Sequence, residues 1–239
     1  MEEGQIHHPE GGTPQGGVIS PLLANLFLHE VLDKWFEGEV KPRLSGRAVL
    51  VRFADDALMV FSNEEDAGRV LAVLPKRFGK YRLSRHPEKT RLIDFRRPGQ
   101  SKSDQRATEE RGPGVFDLLG FTPYWGRTRR GGWAVKRKTA KDRFGRALNW
   151  VAEWCRVNRH LPVREQHQGL TLKLRGHFQY YGIIGNSHAL KRFLFEVTRV
   201  WHKWLNRRSQ RGNMPWDRFN RLLDRHSLPY PRSSHPAAC

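Results

Sequence analysis

Cysteine is nearly absent from this 239-residue chain, which carries only Cys155 and Cys239. Two thiols cannot build a disulfide framework or a four-ligand zinc site, and their scarcity fits a reducing, cytoplasmic setting. Long apolar runs are missing as well. The best attempt, "PLLANLFLHEVL", is broken by His29 and Glu30 and falls short of the ~18 residues that span a bilayer, so no membrane partner is expected. The opening "MEEGQIHHPEGG" has neither the basic nor the apolar region of a secretory signal. The eleven histidines form no H-E-x-x-H pattern, and "GGVIS" is not a G-x-S-x-G nucleophile elbow. In the second half the scarce commodity is acid. Residues 1–95 hold 13 basic and 14 acidic side chains, whereas residues 96–239 hold 30 basic and only 10 acidic ones.

What is present follows from that asymmetry. The net charge of +19 lies almost wholly in the second half, where Lys and Arg are interleaved with Trp, Tyr and Phe. A basic surface of this kind concentrates polyanions and supplies most of the affinity for nucleic acid. Along the chain, "GGTPQGG" at 11–17 reads as a loop. Ser20 and Pro21 then open a helix with apolar positions Leu22, Leu23, Leu26, Phe27, Val31 and Leu32, ending near Gly38. Two strands flank Asp55 and Asp56. Asn63-Glu64-Glu65-Asp66 opens a second helix, with acids complementing its dipole. "TRLIDF" and "VFDLLGFTPYW" read as strands, the latter one arm of a hairpin turning at "GRTRRGG". Residues 97–114 read as an exposed loop. Helical patterns fill 139–158, 163–184, 187–208 and 215–225, and the tryptophans 150, 154, 201 and 204 together with Tyr180-Tyr181 fall at core spacing. The expected class is α+β, an antiparallel sheet with packed helices followed by an all-α basic region.

The adjacent acids in "AVLVRFADDALMVF" are the puzzle. Neighbouring carboxylates repel each other, and apolar flanks raise the cost of ionising both. Alone, an acidic hairpin turn is an ordinary turn, because Asp bonds to nearby backbone and tolerates strained dihedrals. The other option is a metal site. Mg²⁺ takes one or two carboxylates plus substrate phosphates, and two such ions ~3.5–4 Å apart can serve phosphoryl transfer.

The surroundings favour the second option. "GGTPQGGVISPLLANLFLHEVLDKW" lies about thirty residues upstream of the acids, and "HPEKTRLIDF" about thirty downstream. With "RFADDALMVF" between them and "LLGF" beyond, the set resembles the later palm motifs of reverse transcriptases, and more narrowly the group II intron reverse transcriptase/maturase family. The match to G-T-P-Q-G-G-x-I-S-P-L-L-A-N is long and gapless. That family's acidic motif is usually Tyr-Ala-Asp-Asp; here it is Phe53-Ala54-Asp55-Asp56, which leaves the carboxylates untouched. "GHFQYYGIIGN" and the Arg/Trp-rich helix after it resemble the family's thumb and maturase-specific domain.

The resemblance implies a partial palm over 1–96, an exposed loop over 97–114, a palm-to-thumb hairpin over 115–137, and a helical thumb/maturase domain over 138–239. It implies an RNA-directed DNA polymerase that uses Mg²⁺ and takes group II intron RNA, RNA template, DNA primer and dNTPs as partners. Asp55 and Asp56 match the metal-binding catalytic carboxylates, Asp55 being the more direct ligand. Pro14, Gln15 and Gly16 match the loop beneath the templating base pair, and Lys89 a lysine near the nucleotide phosphates. Leu119, Gly120 and Phe121 match the primer grip. Arg127, Arg129, Arg130, Lys136, Arg137 and Lys138, with Arg207, Arg208 and Arg211, are candidate RNA-phosphate contacts. A further catalytic aspartate comes in this family from a strand well before "GTPQGG". Only Met1 to Gly11 precede that loop here, so the chain is expected to be the C-terminal part of a longer polymerase and to lack reverse transcription by itself. A non-enzymatic, maturase-like RNA-binding module is the alternative.

Overall fold

The computed structural model describes residues 19–84, 90–98, 114–208 and 214–232. The chain divides into two compact units, Met1–Ile93 and Asp94–Cys239.

In the first unit, helix α1 (Ser20–Leu28) begins at Ser20 instead of being capped by it, with Ile19 at the cap position. The helical path continues through two widened turns, His29–Asp33 and Phe36–Val40, in which the Lys34 and Lys41 amides reach back five residues to the His29 and Phe36 carbonyls. Leu32, Trp35, Phe36 and Val40 lie on one face of this run and pack with Ala48, Val70 and Leu74. By contrast, α1 itself buries none of its residues, and Leu22 and Leu26 are exposed.

Strands β1 (Ala48–Phe53) and β2 (Asp56–Phe61) pair antiparallel, with Ala48 opposite Phe61 and Phe53 opposite Asp56. Because side chains alternate across a strand, Ala48, Leu50 and Arg52 turn toward the helices with their partners Phe61, Met59 and Ala57. The opposite face carries Val49, Val51, Phe53 and Val60, each at least half exposed. Helix α2 (Glu64–Gly79) is capped by Asn63, whose side chain accepts from the Glu65 amide at 2.9 Å. Asp66, in its first turn, is buried and accepts the Ser45 and Gly46 amides at 2.9 and 2.8 Å. That contact fixes the loop that enters β1 to the start of α2.

In the second unit, β3 (Phe121–Arg127) and β4 (Trp133–Thr139) form a separate antiparallel ribbon. "TRLIDF" runs outside any strand. Phe95 at its end packs edge-on against Phe116, and its carbonyl accepts from the Trp125 indole at 2.9 Å. Four helices follow: α3 (Lys141–Val157), α4 (Val163–Tyr181), α5 (Ser187–Asn206) and α6 (Trp216–Arg225). Their core joins Val151, Cys155, Leu170, Leu174, Phe178, Phe193, Val197, Trp201 and Phe219. Trp201 is wholly buried, and Trp154, Trp204 and Tyr181 pack against the core as their spacing predicts. Trp150 and Tyr180 differ, for each is more than half exposed. Burial pushes the Cys155 thiol up to about 12, which makes it chemically inert.

Two buried amides organise this unit. Gln166 donates to the carbonyls of Asn158, Arg159 and Leu161 in the α3–α4 connection and accepts from the Trp201 indole at 2.9 Å. Asn186 accepts from the Thr139 amide at 3.0 Å and donates to the Thr139 hydroxyl and Tyr181 carbonyl, both at 2.9 Å. The β-ribbon is thereby mounted on the α4–α5 corner.

His177 stacks on Phe193 at 3.8 Å, and its Nε2 is buried without a hydrogen-bond partner. Burial holds its pKa down to about 4. Below the ordinary histidine pKa of about 6.5 the unfolded chain therefore binds a proton that the folded chain refuses. Stability of the helical unit should be full above pH 6.5 and fall as pH drops toward 4, by about 3 kcal/mol in all. Melting curves of wild type and His177→Phe across that window test this, since the variant should lose that component of the pH dependence.

Candidate catalytic turn and nucleic-acid interface

The β1–β2 connection is two residues long, Ala54-Asp55, with Asp56 already paired to Phe53. Ala54 has φ +52°, in the left-handed region that favours glycine. This tight turn places two consecutive acidic residues at the tip of the ribbon. Both Asp55 and Asp56 are exposed, and neither carboxylate has a hydrogen-bond or ion-pair partner among the described residues. Exposure leaves both side chains in contact with water, where repulsion between neighbouring charges is far weaker than in a buried site.

Beneath the turn sits a group that sequence reading passed over. Arg52 donates from Nε and Nη2 to both carboxylate oxygens of Asp33 at 2.8 Å. From Nη1 it donates to Asn25 Oδ1 and to the Ala54 carbonyl, each at 2.8 Å. Its side chain is only 13% exposed. Hydrogen bonds from Arg52 hold the Asp33 carboxyl below the usual carboxylate range, against the opposing cost of burial. The available signal was a lone charge at an inward position of an alternating strand, with an acid nineteen residues earlier on a predicted helix.

Two uncommitted carboxylates are the oxygen donors Mg²⁺ prefers. They fit part of a divalent site. Among the described residues, no cluster of three or more His, Cys, Asp or Glu side chains is suited to a metal ion. Pro14, Gln15, Gly16, Lys89 and Arg211 lie outside the described residues.

In the second unit, Leu119 and Gly120 are the central residues of a tight turn, with φ +50° and +79°. Leu118 and Phe121 exchange backbone hydrogen bonds across it at 2.8 and 2.9 Å. Two positive φ angles are what a type I′ turn requires. The turn is docked on the end of α4: Tyr180 donates to the Leu119 carbonyl at 2.9 Å, and the Phe121 ring stacks on Tyr180. A Cβ at Gly120 would meet the Tyr181 hydroxyl at 3.0 Å.

The basic candidates divide by what their side chains already hold. Arg127 lies over the Trp133 ring at 4.3 Å and donates to the Gly131 carbonyl; Lys136 donates to the Arg127 carbonyl at 2.6 Å. Lys138 sits over Tyr124, and Arg207 over Trp204. Arg129, Arg130 and Arg137 are exposed on the ribbon with no acidic partner among the described residues. Arg208 is different, because its guanidinium donates to the carbonyls of Arg159 and Leu161, the same connection that Gln166 braces. Arg208→Ala should therefore lower stability by about 1–3 kcal/mol while changing RNA affinity less than loss of an exposed ribbon arginine. Parallel denaturant melts and filter binding check this.

The family described as "Reverse transcriptase (RNA-dependent DNA polymerase)" matches residues 1–122, which include the acidic turn and the Leu119-Gly120 turn. "Group II intron-encoded protein LtrA" of Lactococcus lactis subsp. cremoris is 60% identical over 35 residues, 15% of this chain and 6% of that protein. The protein of the same name from strain MG1363 matches to the same extent. The aligned segment thus covers a small part of those relatives' length. No helix among the described residues is long and apolar enough to cross a membrane. With half of its length matched, the chain belongs to the reverse transcriptase (RNA-dependent DNA polymerase) family and is similar, over its aligned segment, to a group II intron-encoded protein.

Proposed function

We propose that this chain is the catalytic-turn-to-thumb portion of a group II intron reverse transcriptase/maturase, an RNA-directed DNA polymerase that also binds its intron RNA. The observation that supports this best is the exposed, uncommitted Asp55–Asp56 pair held by a strained turn inside the family's acidic motif. Asp55 and Asp56 would hold Mg²⁺ together with phosphate oxygens of an incoming nucleotide. Bound there, the ion supplies charge neutralisation and Lewis acidity for phosphoryl transfer. The chain's other groups bind and orient. Pro14, Gln15 and Gly16 support the templating pair, and Lys89 the nucleotide phosphates. Leu119, Gly120 and Phe121 position the primer end, and the basic ribbon holds phosphates along the duplex. The third carboxylate that the family resemblance calls for would come from an earlier strand.

A second reading is favoured by the charge distribution. With net +20 in residues 96–239, the chain is a maturase-like module that holds intron RNA without making DNA. The two readings separate in one experiment, Asp55→Ala assayed for both DNA synthesis and splicing with the family's upstream catalytic segment supplied. Loss of synthesis with splicing retained supports an enzyme with two separable roles, equal loss of both marks a collapsed fold, and a wild-type chain that supports splicing yet makes no DNA with that segment supplied leaves only the binding module.

A further inference from the structure

We propose that Arg52 is the positioning residue of the acidic turn, holding the Ala54–Asp55 peptide in place so that the two carboxylates share a fixed aim. Its consequence for metal binding rests on the function proposed above, while its effect on the turn does not. Arg52 offers five N–H donors, and all of them find acceptors. Asp33 takes two at 2.8 Å, Asn25 Oδ1 and the Ala54 carbonyl take one each at 2.8 Å, and the Asn25 carbonyl lies at 3.5 Å. The peptide unit is planar, so pinning the Ala54 oxygen also fixes the direction of the Asp55 amide and the placement of the Asp55 Cα. Ala54 needs that restraint. It carries a Cβ at φ +52°, a conformation an alanine leaves unless its surroundings over-determine it.

The charges are arranged to the same end. Asp33 neutralises Arg52 from the helical run and Asn25 anchors it from α1, so the guanidinium has no need of Asp55 or Asp56 as a counter-ion. Neither carboxylate of the acidic pair is engaged by a cation of the protein among the described residues, which leaves both oxygen sets open to a cation from outside. Lysine cannot replace this fork, because one ammonium cannot reach the two Asp33 oxygens, Asn25 and Ala54 together.

The test uses the full chain. In Arg52→Lys, amide exchange at Asp56, which pairs with Phe53 across the turn, should accelerate by about tenfold or more, and the NMR coupling and shifts that mark Ala54 as left-handed should be lost. Mn²⁺ affinity, read by water-proton relaxation, should weaken by about tenfold, while the melting of the helical unit stays unchanged. Placed on an Ala54→Gly background, the same substitution should have a smaller effect, since glycine accepts the turn unaided; a strut that merely stabilised the fold would show no such dependence. Should Arg52→Lys fail to fold, Asn25→Ala removes a single acceptor and is read in the same way. Retention of the left-handed signature and of slow exchange in these variants overturns the proposal. Unaltered Mn²⁺ affinity with a disturbed turn likewise overturns the positioning role. If wild type shows no saturable Mn²⁺ binding that Asp55→Asn removes, the metal reading fails, and the exchange and NMR readouts still decide whether Arg52 holds the turn.

Discussion

Asp55→Ala should reduce RNA-templated DNA synthesis by at least about 10³-fold, several kcal/mol of transition-state stabilisation, when the family's upstream catalytic segment is supplied. The carboxylate is proposed to act only through a bound cation and its phosphates, and it contributes nothing visible to the protein's own structure. It is exposed, and its side chain has no partner among the described residues. The same substitution should leave the melting temperature of the chain unchanged or raise it, because it removes one of two like charges one residue apart. That pairing of outcomes is the signature of a group retained for chemistry. A synthesis loss accompanied by an equal loss of folded protein would instead mark Asp55 as a structural turn residue. Single-turnover extension on a primed RNA template and thermal melts of the same preparation provide the two readings.

The second large effect is that of salt on RNA binding. If six of the basic candidates contact phosphates, affinity should fall by about 10³ between 50 and 200 mM monovalent salt. Arg129, Arg130 and Arg137 have no acidic partner among the described residues, so replacing all three by Gln should flatten the log–log slope by about 2. Lys136 and Arg127, already bonded along their own ribbon, should each change it less. A salt-independent affinity in titrations of a fluorescent RNA would remove the electrostatic reading altogether.

Much of this was legible because its physical cause is local. The four helices of the second unit were readable from apolar spacing, within three residues at each end. The acidic turn lay open to reading as well, since a two-residue connection between alternating strands leaves few other geometries. What escaped was long-range and polar. Arg52 joins residues 19 and 27 positions away, Gln166 reaches Trp201, and Asn186 reaches Thr139. Such contacts carry no periodic signature; they show only as polar residues at positions where a pattern calls for apolar ones. Arg208 reads in sequence as one cation among many, yet the fold engages it in bracing a loop. Trp150 shares the spacing of its buried neighbours and is exposed nonetheless, because helical phase reports a face and not what covers it.

The β1–β2 ribbon has a bearing on how the protein behaves in solution. Its outer face presents Val49, Val51, Phe53 and Val60 to solvent, and as a two-stranded sheet it leaves both edges unpaired among the described residues. Such ribbons seek each other. In dilute buffer, repulsion from the net charge of +19 opposes that association. Salt shortens the reach of that repulsion, to about 3 Å at 1 M, and strengthens nothing that opposes apolar association. High ionic strength, which would release a polyanion from the basic half, therefore also removes the colloidal barrier, so nucleic-acid-free protein in high salt should be the form most prone to self-association.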